Sequence, residues 1–266
     1  MSSLLPVHTA DQITSGVTEY LTTSFSLADT ATGDRLAEFL TDPGTGMFHG
    51  PYVRTRLPYA PDDTGQRFFD WQAESFVPYR HQAEAFRRLA SLTPTGEQRR
   101  PEPTLVITGT GSGKTESFLY PVLEHCRRNP GRGMKALILY PMNALATDQE
   151  RRLAEIISTN AALAGVTAGI YTGEQSGGQG GRTTVSSRGL ISSRDLIRGN
   201  VPDILLTNYK MLDQLLLREE DQQIWADSAT TLQYLVLDEF HTYDGAQGTD
   251  VALLLRRLGL ALKAHQ

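Results

Sequence analysis

The segment TLVITGTGSGKT, residues 104–115, decides the fold of this chain. Its first five residues are apolar or β-branched and predict a short buried strand. A glycine-rich turn follows, and a helical pattern begins at Lys114. Helix N-termini and inward-facing N–H groups bind anions, so a strand, a glycine-rich loop and a helix in this order predict a phosphate-binding loop, or P-loop.

Each position of this P-loop has a predicted role at a bound nucleotide. The backbone around the phosphates is predicted to come from Thr110, Gly111, Ser112 and Gly113. Lys114 supplies a positive charge to the β- and γ-phosphates, and the Thr115 hydroxyl is placed to ligate Mg²⁺. Thr108 occupies the first position of the GxxxxGK[ST] pattern, where a small residue is accommodated in place of glycine. ATP and Mg²⁺ are therefore the expected cofactors.

A second chemical signal lies in LVLDEFH, residues 235–241. Acidic side chains that follow an apolar strand lie at the ligand-binding edge of a parallel sheet. We predict that Asp238 holds Mg²⁺ through water, that Glu239 polarises the attacking water, and that His241 couples the γ-phosphate state to neighbouring motifs. Acidic pairs also end strands without any chemistry, but the position of this pair after the P-loop and several strands favours a catalytic role.

Short apolar runs alternate with helical patterns over most of the chain. Predicted strands cover residues 104–108, 136–140, 167–171, 203–207 and 234–238, and predicted helices cover 114–128, 144–158, 211–218 and 250–263. This alternation predicts an α/β fold with a doubly wound, mostly parallel sheet over residues 71–266. Residues 1–70 are predicted to form an accessory segment of two short helices and an irregular stretch, with a capping box of Thr9 and Gln12 opening the first helix.

Composition limits the partners and the location of the protein. The net charge of −5 argues against a protein that holds nucleic acid by overall positive charge, so a local groove and backbone amides would have to hold it. No apolar run reaches the roughly 18 residues of a membrane span, so no membrane partner is expected. Cys126 is the only cysteine, which excludes an internal disulfide and favours the cytoplasm.

Several of these segments resemble one known family. DEFH resembles the DEAD/DEAH box, and GKTESFLYPVL, with Pro121 inside a helical pattern, resembles the GKTxAFxxP pattern of superfamily 2 DEAD-box helicases. The resemblance implies a P-loop NTPase lobe with the RecA-like fold. It also implies that Gln82, in the segment YRHQ, reads adenine, and the candidates for an aromatic residue that stacks on the base are Phe68, Phe69 and Phe76.

Three further segments are similar to the nucleic-acid motifs of that family. They are YPMNALATDQ (residues 140–149), YTG (171–173) and LLTNYKML (205–212). Each follows a predicted strand, and two of them also open a helix, where backbone amides bind phosphate. The resemblance implies nucleic-acid contacts at Pro141, Asn143, Gln149, Thr172, Gly173, Thr207 and Asn208. Taken singly, each segment is also compatible with an ordinary strand-to-helix turn.

The resemblance predicts the ATP-binding motor lobe of an ATP-dependent nucleic-acid helicase or translocase, with DNA preferred to RNA. HTYDGAQGTDVALLLRRL (residues 241–258) and GPYV (50–53) are similar to segments of large MrfA-like and Lhr-like helicases and of Druantia or DISARM helicases, which suggests anti-phage defence or DNA repair. Helicases of this family continue after the acidic box to a Ser-Ala-Thr motif and then to a second RecA-like lobe with an arginine finger. This second lobe is the expected partner, and the chain is expected to be a fragment of a larger helicase or a naturally truncated product. Two alternatives stay open: another class of P-loop NTPase, and a catalytically incomplete nucleotide-binding module that docks on a partner.

Overall fold

The computed structural model describes residues 6–25, 29–49, 57–93, 95–109, 111–173 and 181–266. Thr110 of the predicted P-loop and the segment 50–53 lie outside these residues. The chain divides into two compact units, Met1–Pro58 and Tyr59–Gln266. This division comes earlier than the predicted boundary at residue 70, because the residues between the two positions pack within the larger unit. The Phe69 ring, for example, lies 5.0 Å from the Phe86 ring.

Two helices make up most of the described part of the smaller unit, α1 (Pro6–Ser24) and α2 (Thr30–Thr41), and they pack against each other. The predicted capping box at Thr9 is wrong, because α1 already begins at Pro6, where proline is compatible with a first helical position. α2 begins with an N-cap at Asp29, whose carboxylate accepts hydrogen bonds from the N–H groups of Ala31 and Thr32.

The larger unit contains a four-stranded parallel sheet flanked by helices. Its elements are α3 (Arg80–Leu89), α4 (Lys114–Arg128), β1 (Ala136–Tyr140), α5 (Asn143–Thr159), β2 (Ala168–Tyr171), α6 (Arg194–Gly199), β3 (Ile204–Asn208), α7 (Tyr209–Leu217), α8 (Gln222–Ser228), β4 (Tyr234–Leu237) and α9 (Gly245–Ala264). The strand order is β2-β3-β1-β4, and every pair is parallel. The predicted α/β class is confirmed, and four of the five predicted strands are present.

The predicted strand at residues 104–108 is absent from the described structure. This segment has no regular secondary structure, and the side chains of Leu105 and Ile107 are 64% and 82% exposed. It borders a groove of about 990 Å³ together with β4, without pairing with that strand. Propensity alone does not form a strand, which also needs ladder hydrogen bonds to a neighbouring strand and packing of its side chains. The segment also follows Pro101 and Pro103, which lack N–H donors.

The core lies on both faces of the sheet. Side chains alternate along β1, so Ala136, Ile138 and Tyr140 pack towards the cluster that contains α4 and α5. Leu137 and Leu139 pack towards the cluster that contains α7, α8 and α9. Strands buried on both faces read as continuous apolar runs, which is why the sequence identified them. Within the described segments, no helix is both long and apolar enough to cross a bilayer.

The strand register aligns the carboxyl ends of the strands. Tyr171 lies opposite Thr207, Tyr140 lies opposite Asn208, and Leu139 lies opposite Leu237. The residues that follow β2, β3, β1 and β4 therefore lie along one edge of the sheet, where open α/β sheets bind their ligands. A buried Lys135–Asp203 ion pair, 2.6 Å from Nζ to Oδ1, lies just before β1 and β3 at the opposite edge.

Candidate active site

The P-loop reaches α4 through two glycines in the left-handed region. Gly111 has φ 77° and Gly113 has φ 74°, and Gly113 immediately precedes Lys114, the first residue of α4. A Cβ atom on Gly113 would lie 2.3 Å from Gln82 Nε2. Glycine at 113 therefore allows both the backbone turn and the close approach of α3.

The first turn of α3 holds two consecutive carbonyls of the P-loop. Gln82 Nε2 donates to the Gly113 carbonyl and His81 Nε2 donates to the Ser112 carbonyl, each at 3.0 Å. Gln82 Oε1 accepts from the backbone N–H of Tyr79 at 2.9 Å. Both ends of the Gln82 amide are thus bonded within the protein, and Gln82 positions the loop; its contact with adenine stays a prediction.

The acidic pair follows β4 in a strained conformation. Glu239 has φ 47°, and it is the one non-glycine residue with positive φ in the described ranges. Its N–H donates to Asp238 Oδ1 at 2.8 Å, and the Asp238 N–H donates to the Leu139 carbonyl at 3.0 Å. Backbone strain of this kind costs about 1–3 kcal/mol and persists where surrounding contacts enforce it, often at functional sites.

Burial and charge set the electrostatics of this pair. Burial raises the pKa of Asp238; the Glu239 N–H lowers it, the Glu239 carboxylate raises it, and Lys114 lowers it. Lys114 and Asp238 line the same groove, so the P-loop and the end of β4 meet at the same sheet edge. Burial, together with Asp238 and Tyr209, also raises the pKa of Tyr243 to about 12. The Tyr243 hydroxyl is buried without a hydrogen-bond partner and was not identified from the sequence.

A cavity of about 720 Å³ lies beside the P-loop. Lys114, Thr115, Glu239 and His241 line it, and His241 Nδ1 lies 3.4 Å from Glu239 Oε2. This volume is in the range of small-molecule sites. Lys114, Thr115, Glu239 and His241 therefore share one space large enough for a nucleotide, whereas Asp238 lines the neighbouring groove, which Lys114 also borders.

Aromatic side chains line one wall of this cavity. Of the three candidates for base stacking, Phe76 lines it, and its ring lies 5.6 Å from that of Tyr120. Phe68 and Phe69 pack against Phe86 instead. Tyr120 also lines the cavity, although it was not identified from the sequence. Tyr120 lies one helical turn after Glu116 on α4, and this spacing from the P-loop is the feature of the sequence that could have identified it.

The two predicted metal ligands fit Mg²⁺ by the chemistry of their donors. Thr115 offers a hydroxyl oxygen and Asp238 a carboxylate, and both residues lie beside Lys114. Mg²⁺ is commonly held by one or two protein oxygens, substrate phosphates and water. No group of three or more His, Cys, Asp or Glu side chains within the described part of the chain is arranged to hold a metal. Phosphate and water would thus complete the coordination.

The predicted nucleic-acid residues lie along the neighbouring strand ends. Asn208 Nδ2 donates to Asn143 Oδ1 at 2.5 Å, which joins the ends of β3 and β1, and Asn208 Oδ1 caps α7 through the Met211 N–H. Thr207 is fully buried, and its hydroxyl donates to the Tyr171 carbonyl at 2.6 Å. The Thr207 side chain therefore braces the sheet edge, while the amides of Asn143 and Asn208 lie partly exposed.

The other four predicted nucleic-acid residues lie in two places, three at the ends of β1 and β2 and one beside the P-loop. Thr172 is buried and Gly173 exposed at the end of β2, and the Thr172 carbonyl accepts from Arg194 Nη2 at 3.1 Å. Pro141 lies half-buried at the end of β1. Gln149 instead lines the cavity beside the P-loop.

Three charged residues near these sites were not identified from the sequence. Arg194 lies over the Tyr171 ring, 5.1 Å from its centre, beside the predicted nucleic-acid edge. Glu116 and Arg152 form an ion pair on the cavity wall. Glu116 directly follows Lys114 and Thr115, and this position could have identified it from the sequence. Arg152 could not be identified in this way, because it lies among several charged residues of one helix.

The fold and the site together define a P-loop nucleotide-binding protein. Its phosphate loop and a strand-end acidic pair meet at one edge of a parallel sheet. Residues 79–266 match the DEAD/DEAH box helicase family, and the chain belongs to this family. The predicted resemblance is therefore confirmed.

Individual relatives agree with this assignment. The chain is 31% identical to the uncharacterized ATP-dependent helicase YprA of Bacillus subtilis, over 68% of this chain and 20% of YprA. It is 27% identical to the Druantia protein DruE of Escherichia coli, over 68% of this chain and 15% of DruE. The crystal structure of the DUF1998 helicase MrfA bound to DNA superposes with a TM-score of 0.52 and 28% identity, over 71% of this chain and 23% of MrfA. The matched region thus spans a quarter or less of each relative.

Proposed function

We propose that this chain is the ATP-binding lobe of a motor that uses ATP hydrolysis to move along or unwind nucleic acid, preferably DNA. One observation carries the proposal: the P-loop, the acidic pair and the Asn143–Asn208 pair share one edge of the sheet. A nucleotide and a nucleic-acid backbone bound there would contact neighbouring strand ends. The DNA-bound state of the similar helicase MrfA supports DNA as the substrate.

The residues of the chain have distinct roles in this proposal. The Lys114 ammonium and the N–H groups of Gly111 and Gly113 bind the phosphates, while Thr115 and Asp238 hold Mg²⁺. Mg²⁺ supplies positive charge that offsets the charge developing on the phosphates. Glu239 orients the attacking water and accepts its proton, since it lines the cavity beside Lys114.

The motor as a whole needs more than this lobe. In related NTPases an arginine supplied from a separate element raises the rate by about 10³–10⁵. We propose a second RecA-like lobe as the source of that arginine and as the other half of the nucleic-acid site. The chain by itself should therefore bind nucleotide and nucleic acid weakly and unwind little. The proposed location is the cytoplasm, and a role in defence or repair stays a prediction.

Nucleotide binding by the chain provides the first test. Titration with a fluorescent ATP analogue and Mg²⁺ should show saturable binding that Lys114→Ala weakens at least about tenfold, or ~1.4 kcal/mol. The melting temperature should stay within about 1 °C, because a loop-tip charge contributes little to the core. Lys263→Ala, which removes an exposed lysine at the end of α9, is the matched control and should leave binding unchanged.

Two results would decide against the proposal. Equal affinity in Lys114→Ala and the parent chain would show that the P-loop does not hold the phosphates. Absence of nucleic-acid stimulation once a second lobe is supplied would favour another class of P-loop NTPase. Nucleotide binding without turnover under those same conditions would favour a docking module.

A further inference from the structure

An ion pair joins the P-loop helix to the helix that begins at the nucleic-acid edge. Glu116 lies in the first turn of α4, directly after Thr115, and Arg152 lies on α5. The two side chains form an ion pair, and both line the cavity beside the P-loop. Neither residue has a role in the nucleotide chemistry described above.

The Glu116 carboxylate depends on this arginine. Its side chain is only 15% exposed, and its Oε2 atom is buried without a hydrogen-bond partner. That oxygen lies 3.1 Å from where a Cβ atom on Gly113 would be, so the carboxylate packs against the P-loop itself. A buried carboxylate that loses its cation is strongly destabilised. A shift of the P-loop that moves Glu116 away from Arg152 would leave this largely buried carboxylate without its cation, which disfavours the shift unless Arg152 follows.

Helix α5 extends this link to the sheet edge. The helix begins at Asn143, whose side chain bonds to Asn208, and it reaches Arg152 about 14 Å further along its axis. On the same helix, Glu150 forms an ion pair with Arg182 in the segment that follows β2. Helix α5 thus contacts the predicted nucleic-acid residues at its start and lines the cavity further along its length.

We infer that the Glu116–Arg152 pair couples nucleotide binding at the P-loop to nucleic-acid binding at the start of α5. The inference rests on the proposed function and makes Glu116 and Arg152 positioning residues in it. Nucleotide phosphates fix the P-loop and the first turn of α4, and Arg152 carries that constraint to α5. By linkage, nucleic acid bound at Asn143 and Asn208 then favours nucleotide binding by the same factor.

The adjacent arginine offers a matched control. Arg151 and Arg152 are both exposed on the same helix, and of the two only Arg152 is paired with Glu116. Substitution of either arginine by glutamine removes one positive charge from α5. Only the Arg152 change removes the ion pair between α5 and the P-loop helix.

The test measures the affinity of the chain for a fluorescent ATP analogue with Mg²⁺, with and without a single-stranded oligodeoxynucleotide at low salt. In the parent chain the dissociation constant of the ATP analogue without the oligonucleotide, divided by that with it, should be about five or more. It should fall to about one in Arg152→Gln and in Glu116→Gln, and it should be retained in Arg151→Gln and in the conservative Arg152→Lys. The affinity for the oligonucleotide should show the same ratios when nucleotide is added.

Each outcome separates the inference from the proposed function. A ratio in Arg152→Gln equal to that of the parent chain overturns the inference, and so does a ratio of one in a parent chain that binds both ligands. A parent chain that binds no nucleotide overturns the proposed function itself. If Arg152→Gln does not fold, the double variant Glu116→Gln/Arg152→Gln, which leaves no unpaired buried charge, takes its place with the same expected ratio.

Discussion

The Gln82 side-chain amide donates to the Gly113 carbonyl at 3.0 Å, so the first turn of α3 holds the last glycine of the P-loop. His81 holds the preceding carbonyl, that of Ser112, from the same turn. Two neighbouring residues of one helix thus fix the backbone of the loop before any phosphate binds. A preorganised loop spends less of its binding free energy on ordering.

Removal of this contact should weaken both the fold and nucleotide binding. Gln82→Ala leaves the Tyr79 N–H without its acceptor and removes one donor from the Gly113 carbonyl, which still accepts from the Ser117 hydroxyl at 3.3 Å. We expect this to lower the free energy of unfolding by about 1–3 kcal/mol. Affinity for ATP should fall about tenfold because the loop loses its brace. Urea denaturation and nucleotide titration measure the two effects, with the exposed Gln98→Ala as control. Full nucleotide affinity in a destabilised Gln82→Ala chain would assign Gln82 to the fold alone.

The positive φ of Glu239 predicts an unusual order of stabilities. At φ 47° an alanine carries strain that glycine does not, so Glu239→Gly should be about 1 kcal/mol more stable than Glu239→Ala. The exposed Glu155 inside α5 is the matched position, where the alanine variant should be the more stable by about 1 kcal/mol. Thermal denaturation of the four variants measures both differences. The same order at both positions would contradict the left-handed conformation of Glu239.

The raised pKa of Asp238 predicts a pH-dependent cost to stability. Its pKa is higher in the folded state than in the unfolded state, mainly because the carboxyl is buried. Ionisation therefore favours unfolding as pH rises from about 3.9 through the folded-state pKa. Asp238→Asn should melt at a higher temperature than the parent chain at pH 7, and the difference should shrink as the pH falls towards 4. Asp148→Asn, at an exposed position of α5, is the control, and a pH-independent difference for Asp238→Asn would contradict this origin.

Gly133 should be intolerant of any side chain. Its φ is 97°, and a Cβ atom there would lie 2.2 Å from the Asp227 carbonyl oxygen. We expect Gly133→Ala to lower the free energy of unfolding by about 2 kcal/mol or more, since both backbone and packing must shift. Gly165→Ala is the control, because no atom lies within 4 Å of its Cβ position and it should change stability by less than about 1 kcal/mol. Equal stabilities of the two variants would contradict the packing at Gly133.

The sequence predicted those elements whose signal is local. Helix α4 begins at Lys114 and ends at Arg128 as predicted, because a glycine-rich turn precedes it and its apolar residues repeat at helical spacing. The strands β1 to β4 were predicted within a residue at each end, because each is a continuous apolar run. Such runs are typical of strands covered on both faces, as β1 and β2 are, although Leu235 of the edge strand β4 is 39% exposed. The segment 104–108 has the same composition but forms no strand, because a strand also needs a paired neighbour.

The motifs, too, were determined by the sequence, because the spacing of Lys114, Thr115, Asp238 and Glu239 is a property of the chain itself. What only the tertiary structure decided is which distant side chains meet. Arg152 reaches Glu116, Gln82 reaches Gly113, and Asn143 reaches Asn208. Gln149, predicted from its motif to contact nucleic acid, lines the nucleotide cavity for the same reason. Such contacts depend on how helices pack on the sheet and on which turn of each helix faces the site, and no local pattern of residues encodes either.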